Sequence, residues 1–279
     1  MKATNKIFES EKPIIAMLHV GCLLGTKEYQ DIKDLAKSIK RDIEALQKNG
    51  VNGMLIENWQ EDSVGEFVAP ETAVSLTYVI NEIVENIKVP FGINVLNNDY
   101  KVALSLAKIF NADFVQLDVF VDDVQSDFVH SPIASKNPFE IKTDPKAIHD
   151  YADKIGAQGI PIFSFIQPKH YKMLDPNKSI ETSARQAVKA GASALLITKA
   201  TGSAPTIDLI KRAKSAAGNT PVGIGSGFSV ENASEFIPFV DFAVVGTSIK
   251  NDGNTDNPVD GRRVKALMYE VKKLRKNSQ

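Results

Sequence analysis

The 279-residue sequence contains one cysteine, Cys22. That excludes an intrachain disulfide and a zinc-type cysteine cluster. Net charge is almost absent, at −1 from 33 basic and 34 acidic side chains. The chain therefore lacks the basic surface that holds nucleic acid by neutralising phosphates. No apolar run approaches ~20 residues, which excludes a bilayer-spanning helix. The stretch from Met1 to Lys12 is polar and mixed in charge, so no secretory leader is expected and the default compartment is the cytoplasm. No Gly-x-Gly-x-x-Gly follows the first apolar run, which weakens the reading as an open dinucleotide-binding sheet. No linker or low-complexity tract divides the chain, and one domain over residues 1–279 is expected, with its core from residue 12 to 275.

What the chain does have is a regular alternation of short apolar runs and amphipathic stretches. The runs predict strands over 14–20, 53–57, 91–95, 114–119, 161–166 and 194–198, one beginning at Val222, and 242–245. Helices are predicted over 32–48, 72–87, from Asn98 or Asp99 to 110, then 144–155, 179–190, 205–217, 230–236 and 259–274. The first of these repeats apolar residues at 32, 35, 36, 39, 43 and 46, a helical stripe that Gly50 ends. Residues 120–143 form the longest irregular stretch and read as a lid. Eight strands each followed by a helix imply parallel strands with right-handed crossovers, hence an α/β fold of the (β/α)8 TIM-barrel type. The basic run Lys272 to Lys276 reads as a solvated helix end.

In such a barrel the chemistry sits at the C-terminal ends of the strands. Polar groups end nearly every predicted strand here. His19 closes the first and is read either as a proton-transfer group or as a rim histidine bonded to a carbonyl. Glu57 and Asp118 end the second and fourth. They form an acid–base pair, hold a divalent metal, or make structural ion pairs. Asn58 and Asn94 orient a substrate or satisfy loop backbone. Lys169 and His170 follow strand five. Lys199 ends strand six as a Schiff-base lysine or, by preference, as a fixed charge for an anion. Gly225, Ser226, Gly227, Gly246 and Thr247 end the last two strands. Bare amides at those two ends would seat a phosphate, with Lys250 adding charge. Asp122, Asp123, Asp127 and His130 match no metal-ligand spacing.

Five segments carry a family resemblance: Ile15-Ala16-Met17-Leu18-His19, Gly53 to Asn58, Gly92 to Asp99, Gly225-Ser226-Gly227 and Val245 to Lys250. With Asp252-Gly253 and Pro258 to Val264, the chain resembles the BtpA/SgcQ family from about residue 12 to 275. The resemblance implies a barrel of the ribulose-phosphate-binding type, and it spans members linked to photosystem I biogenesis and to sugar-metabolism gene clusters. Lys169-His170 fits the family pattern. Leu117-Asp118-Val119 and the loop from Phe120 to Pro138 depart from it.

The expected function is an isomerase or lyase acting on a small phosphorylated sugar or nucleoside-type metabolite. The last two strands would anchor the phosphate. His19, Glu57, Asn94, Asp118 and Lys199 would carry the chemistry, with Asn58 and Lys169 binding substrate. No cofactor is expected. A hydrolase with a divalent metal and a noncatalytic assembly factor of the BtpA type are the alternatives. A homo-oligomer is the default assembly.

Overall fold

Side chains on a strand alternate between its two faces, and that alternation decides what enters the centre of this molecule. A computed structural model describes residues 3–59, 65–127 and 137–276. On β1 (Ile14–Val20), Ile15 and Met17 join an interior cluster with Leu55, Phe114, Phe163, Phe165, Leu196, Phe242 and Val244. Ile14, Ala16, Leu18 and Val20 face the other way, into the larger cluster shared with the helices. β2 (Gly53–Asn58), β3 (Phe91–Asn94) and β4 (Phe114–Leu117) follow. Outside the barrel lie β5 (Val124–Ser126), β6 (Glu140–Ile141) and β8 (Tyr171–Met173). The barrel is completed by β7 (Ile162–Ile166), β9 (Ala194–Ile197), β10 (Val222–Ile224) and β11 (Phe242–Val245). Its order is β1-β11-β10-β9-β7-β4-β3-β2, closed on itself. Neighbours pair in parallel throughout. The eight predicted barrel strands are the eight observed, and the protein is a (β/α)8 TIM barrel.

The helices are α1 (Ala3–Phe8), α2 (Ile32–Lys48), α3 (Pro70–Ile83), α4 (Tyr100–Phe110), α5 (Pro145–Lys154), α6 (Ile180–Lys189), α7 (Ile207–Ala217), α8 (Ala233–Phe236) and α9 (Gly261–Lys276). Local chemistry explains their starts. Asp31 accepts from the Lys33 and Asp34 amides at the head of α2, and Asp99 accepts from Val102 at the head of α4. Ser179 and Thr206 do the same for α6 and α7. Asp99, not Asn98, is therefore the cap. Asn98 instead accepts from the Val119 amide at 2.9 Å and fixes the exit of β4.

Two features depart from the predicted layout. Residues 120–143 are not wholly irregular. β5 pairs antiparallel with β6 and with β8, so a small three-stranded sheet stands over one side of the barrel's C-terminal end. The hydrophobic residues Val119, Val124 and Ile141 give it its own core. Residues 128–136 of the expected lid, His130 included, lie outside the described residues. The second departure is α1, unpredicted because six residues are too few for a visible helical stripe. Its Phe8 enters the barrel from below, edge-on to Phe114 at 5.8 Å and Phe163 at 6.5 Å. Phe114 opens β4, so this ring closes the N-terminal mouth.

That plug replaces water against the lowest interior layer, and Phe8 is 5% exposed. Phe8→Ala is expected to destabilise the protein by about 3–5 kcal/mol, the usual penalty for emptying a buried phenylalanine site. Urea denaturation should show a lower midpoint with an unchanged slope. A midpoint within error of the parent would contradict the plug.

Candidate active site

The inward series on the first four strands turns polar at its C-terminal end, and strand register sets those residues side by side. His19 pairs in register with Glu57, and Glu57 with Asn94. Neighbours in parallel register share a face about 4.8 Å apart. Gln116 and Asp118 continue the inward series of β4 above Phe114. The side-chain amide of Asn94 donates to Glu57 Oε2 at 2.8 Å and to Asp118 Oδ1 at 3.1 Å. Gln116 Nε2 approaches the same Asp118 oxygen at 3.5 Å. His19 Nε2 lies 3.7 Å from Glu57 Oε1. Four of the predicted residues, His19, Glu57, Asn94 and Asp118, thus form one contiguous cluster. Asn94 is 1% exposed, Glu57 7% and Asp118 8%, and the His19 side chain is 8% exposed.

Burial governs the charges. Loss of water raises Glu57 to about 7, and the neighbouring Asp118 raises it further, against the pull of Lys169 and the Asn94 amide. Burial likewise raises Asp118 to about 6, opposed by Lys169, Asn94 and Gln116. His19 is lowered to about 3 by burial, then by the cations Lys250 and Lys169. At neutral pH the imidazole is uncharged and the carboxyl pair is poised to give or take a proton. Lys169 follows β7. Its ammonium comes within 3.5 Å of Thr201 Oγ1 and makes no ion pair among the described residues. It acts electrostatically on His19, Glu57 and Asp118 alike.

The other side of the mouth, at the ends of β9, β10 and β11, is built differently from expectation. Gly225 gives its N–H to Ile197 O at 2.9 Å, and a Cβ there would strike the Phe165 ring at 2.7 Å. Ser226 Oγ accepts from the Lys199 amide at 2.8 Å and donates to Ser203 O at 3.0 Å, a bridge between loops. Gly227 has φ +67° and lies against the Ser203–Ala204 backbone, where any side chain would collide. Gly246 lies beside the His19 ring: a Cβ there would meet the ring's Cε1 at 3.3 Å. A short 3-10 turn, Thr247–Ile249, starts here, with Ile249 N–H bonded to Gly246 O. The amides of Thr247 and Ser248 are the first-turn donors that such a turn leaves without intrahelical partners. Thr247 Oγ1 bonds Thr255. The Lys199 side chain is exposed at the rim. Lys250 is fully buried, 3.5 Å from Asp42, behind the corner and not on it.

Several other expectations resolve into scaffolding. Asn58 accepts from the Leu96 amide at 2.7 Å, tying β2 to the loop after β3. Asp122 is clamped by Lys178 at 2.6 Å and by Ser183. Asp123 takes Thr143, and Asp127 pairs with Lys172 at 3.2 Å. His170 Nε2 sits 2.9 Å from Thr201 Oγ1. Among the described residues no group of three or more His, Cys, Asp or Glu side chains is arranged to hold a metal ion.

Residues not singled out from the sequence complete the mouth. Trp59 stacks on His19 with ring centroids 5.0 Å apart, and its indole N–H donates to Asp256 at 2.7 Å. Tyr171, from the small sheet, donates to Asn97 O at 3.2 Å. Burial and the charges of Asp118, Glu66 and Glu57 push its phenol well above the ordinary range. These two rings lie across the entrance. The signal for Trp59 was its place directly after Glu57-Asn58. Tyr171 had none, since its position depends on the pairing of β5 with β8.

Comparison with known proteins agrees with this architecture. An uncharacterized protein of Thermococcus kodakarensis is 30% identical, over 96% of this chain and 98% of its own. The photosystem I biogenesis protein BtpA of Synechocystis is 25% identical over 94% and 88%. The putative sgc region protein SgcQ of Escherichia coli K12 is 27% identical over 99% and 100%. Among solved structures, N-(5'-phosphoribosyl)anthranilate isomerase from Pyrococcus furiosus superposes with a TM-score of 0.54 at 11% identity, covering 94% of this chain and 99% of that one. That likeness is one of fold. No helix among the described residues is long and apolar enough to cross a membrane. The model of the BtpA family matches residues 10–273, and the chain belongs to that family.

Proposed function

We propose that this barrel is an isomerase or lyase that moves a proton on a small phosphorylated metabolite, of the sugar or nucleoside type. The observation that carries the reading is the carboxyl pair Glu57–Asp118, bridged by one amide and buried beside a neutral imidazole. Paired groups whose environment brings them near neutrality are what proton transfer at pH 7 needs. In this scheme the ionised member of the pair removes a proton from carbon. His19 or the protonated carboxyl then supplies a proton to the neighbouring oxygen. Lys169 contributes fixed positive charge where an oxyanion develops. The Gly246–Thr247 end of β11 anchors the phosphate through the amides of Thr247 and Ser248, with Gly225, Ser226 and Gly227 holding the neighbouring loop in place, so the reacting end is held in one geometry. The fold neighbour named N-(5'-phosphoribosyl)anthranilate isomerase is what suggests that substrate class. Lys199, exposed at the rim, serves here as attracting charge and not as a covalent nucleophile. No cofactor enters the scheme.

Glu57→Gln keeps the shape and the bond from Asn94 but cannot take a proton. Turnover of a sugar phosphate should fall by roughly 10²–10⁴-fold, the usual share of a general base, with ligand affinity retained. Undiminished turnover would remove Glu57 from the chemistry. Thr247→Asp should instead weaken phosphorylated ligands about tenfold or more through like-charge repulsion, leaving unphosphorylated analogues unaffected. Equal affinities in calorimetry would displace the phosphate from this corner.

The same pair makes stability depend on pH. Glu57 titrates higher in the folded chain than in the unfolded one, at about 7 against 4.5. Between those values the native state holds more protons, so stability falls as pH rises and the loss is complete above the folded value. His19 has the opposite sign and acts below pH 6.5, in parent and variant alike. Glu57→Gln should therefore be more stable than the parent by roughly 1–3 kcal/mol at pH 8, with the difference shrinking towards zero at pH 4. Urea melts at the two pH values measure it, and a pH-independent difference would contradict the raised carboxyl.

A further inference from the structure

The hydrogen-bonding capacity of the mouth is lopsided. Asn94 Oδ1 and Gln116 Oε1 are buried acceptors with no partner among the described residues. Asn94 and Gln116 are each 1% exposed. Their amide nitrogens both point to the same Asp118 oxygen. At neutral pH Asp118, which titrates at about 6, is mainly an ionised carboxylate that accepts and does not donate, so this orientation of the two amides is the one chemistry requires, and it turns their oxygens away from that group. Glu57 and Asp118 add further acceptor positions. Facing these is the Lys169 ammonium, whose hydrogen bond to Thr201 Oγ1 is long at 3.5 Å and which makes no ion pair among the described residues. A buried acceptor without a donor costs about 1–3 kcal/mol, and two on adjacent strands mark a surface shaped for something that donates.

We infer that the part of the ligand lying over β3 and β4 is a neutral, polyhydroxylated carbonyl compound and not an acid, with Asn94 and Gln116 accepting its hydroxyls and Lys169 facing its carbonyl oxygen. A carboxylate head would add acceptors where acceptors already crowd, beside two carboxyl groups. An amine head would meet the Lys169 charge. Hydroxyls satisfy the orphaned oxygens without either conflict, and one carbonyl oxygen satisfies the Lys169 cation. This makes Gln116, which makes no proton transfer in the proposed scheme, a specificity-determining residue. The inference rests on the reading of the mouth as a substrate site, but not on the phosphate corner.

Calorimetric titration of the full chain tests it with fructose 6-phosphate, ribulose 5-phosphate, 6-phosphogluconate, fructose and inorganic phosphate. At least one ketose phosphate should bind about tenfold or more tightly than 6-phosphogluconate, the difference of one well-placed hydrogen bond or more. Gln116→Met, of similar volume, should lower that affinity by about tenfold and leave inorganic phosphate unchanged. Unchanged binding of inorganic phosphate together with an unshifted urea midpoint shows that the methionine variant fails for want of an acceptor and not of a fold. Preference for 6-phosphogluconate, insensitivity to Gln116→Met, or binding of none of the hydroxylated probes would each overturn the inference. If fructose binds as tightly as its phosphate, the phosphate corner fails while the inference on the head group stands.

Discussion

One side-chain amide holds two carboxyl groups side by side at the centre of this barrel. Without Asn94 donating to both Glu57 and Asp118, their mutual repulsion in a water-poor mouth would drive one of them away or keep it permanently protonated. With it, they share a neighbourhood in which neither the charged nor the neutral form is strongly favoured. The register of β2 against β3 puts Asn94 next to Glu57, and the inward alternation of β4 brings up Asp118. The poise of the pair is thus a consequence of barrel closure. A slip of one residue in either strand would send the amide to the helix side and leave the acids unbridged.

The entrance strengthens this. Trp59 covers His19 and is itself fastened to Asp256, in the loop that follows β11. Tyr171 reaches over from the small sheet to the loop after β3. The carboxyl groups beside these rings are shielded from water, Glu57 being 7% and Asp118 8% exposed. Shielding raises the carboxyl groups towards neutrality and also sharpens every charge that a substrate would meet there.

Much of this was legible in the chain itself, for a physical reason. Parallel strands buried on both faces are continuous apolar runs, so a polar residue ending such a run stands out. His19, Glu57, Asn94 and Asp118 were all visible in that way, and the eight runs specified the barrel. The glycines were harder. Gly225 and Gly227 do end strand β10, but close packing against Phe165 and the Ser203–Ala204 backbone is reason enough for them. Ser226 bridges two loops, and Asn58 secures another. A residue type at a strand end does not disclose whether its hydrogen bonds are already taken. Gln116 was passed over for the converse reason: it lies inside the β4 run, where only the three-dimensional bonding reveals an oxygen left over. Tyr171 and Phe8 owe their positions to pairings distant in sequence, and no local pattern announces those.

The family contains a protein named for photosystem I biogenesis, and a noncatalytic barrel would be consistent with that name taken alone. The energetics of the mouth argue otherwise. Two carboxyl groups held above their ordinary range, an imidazole kept neutral and two amide oxygens without donors among the described residues all lower the stability of the folded chain. A scaffold gains nothing from that layer, since leucine and valine at the same inward positions would pack the barrel and stabilise it, as they do one layer below at Leu55 and Val244. Destabilising polar groups persist where they act on something. The layer is also confined to one end, the end where barrel loops converge, while the opposite mouth is closed by the apolar ring of Phe8. An assembly surface would have to face outward. These groups face one another inside the barrel mouth.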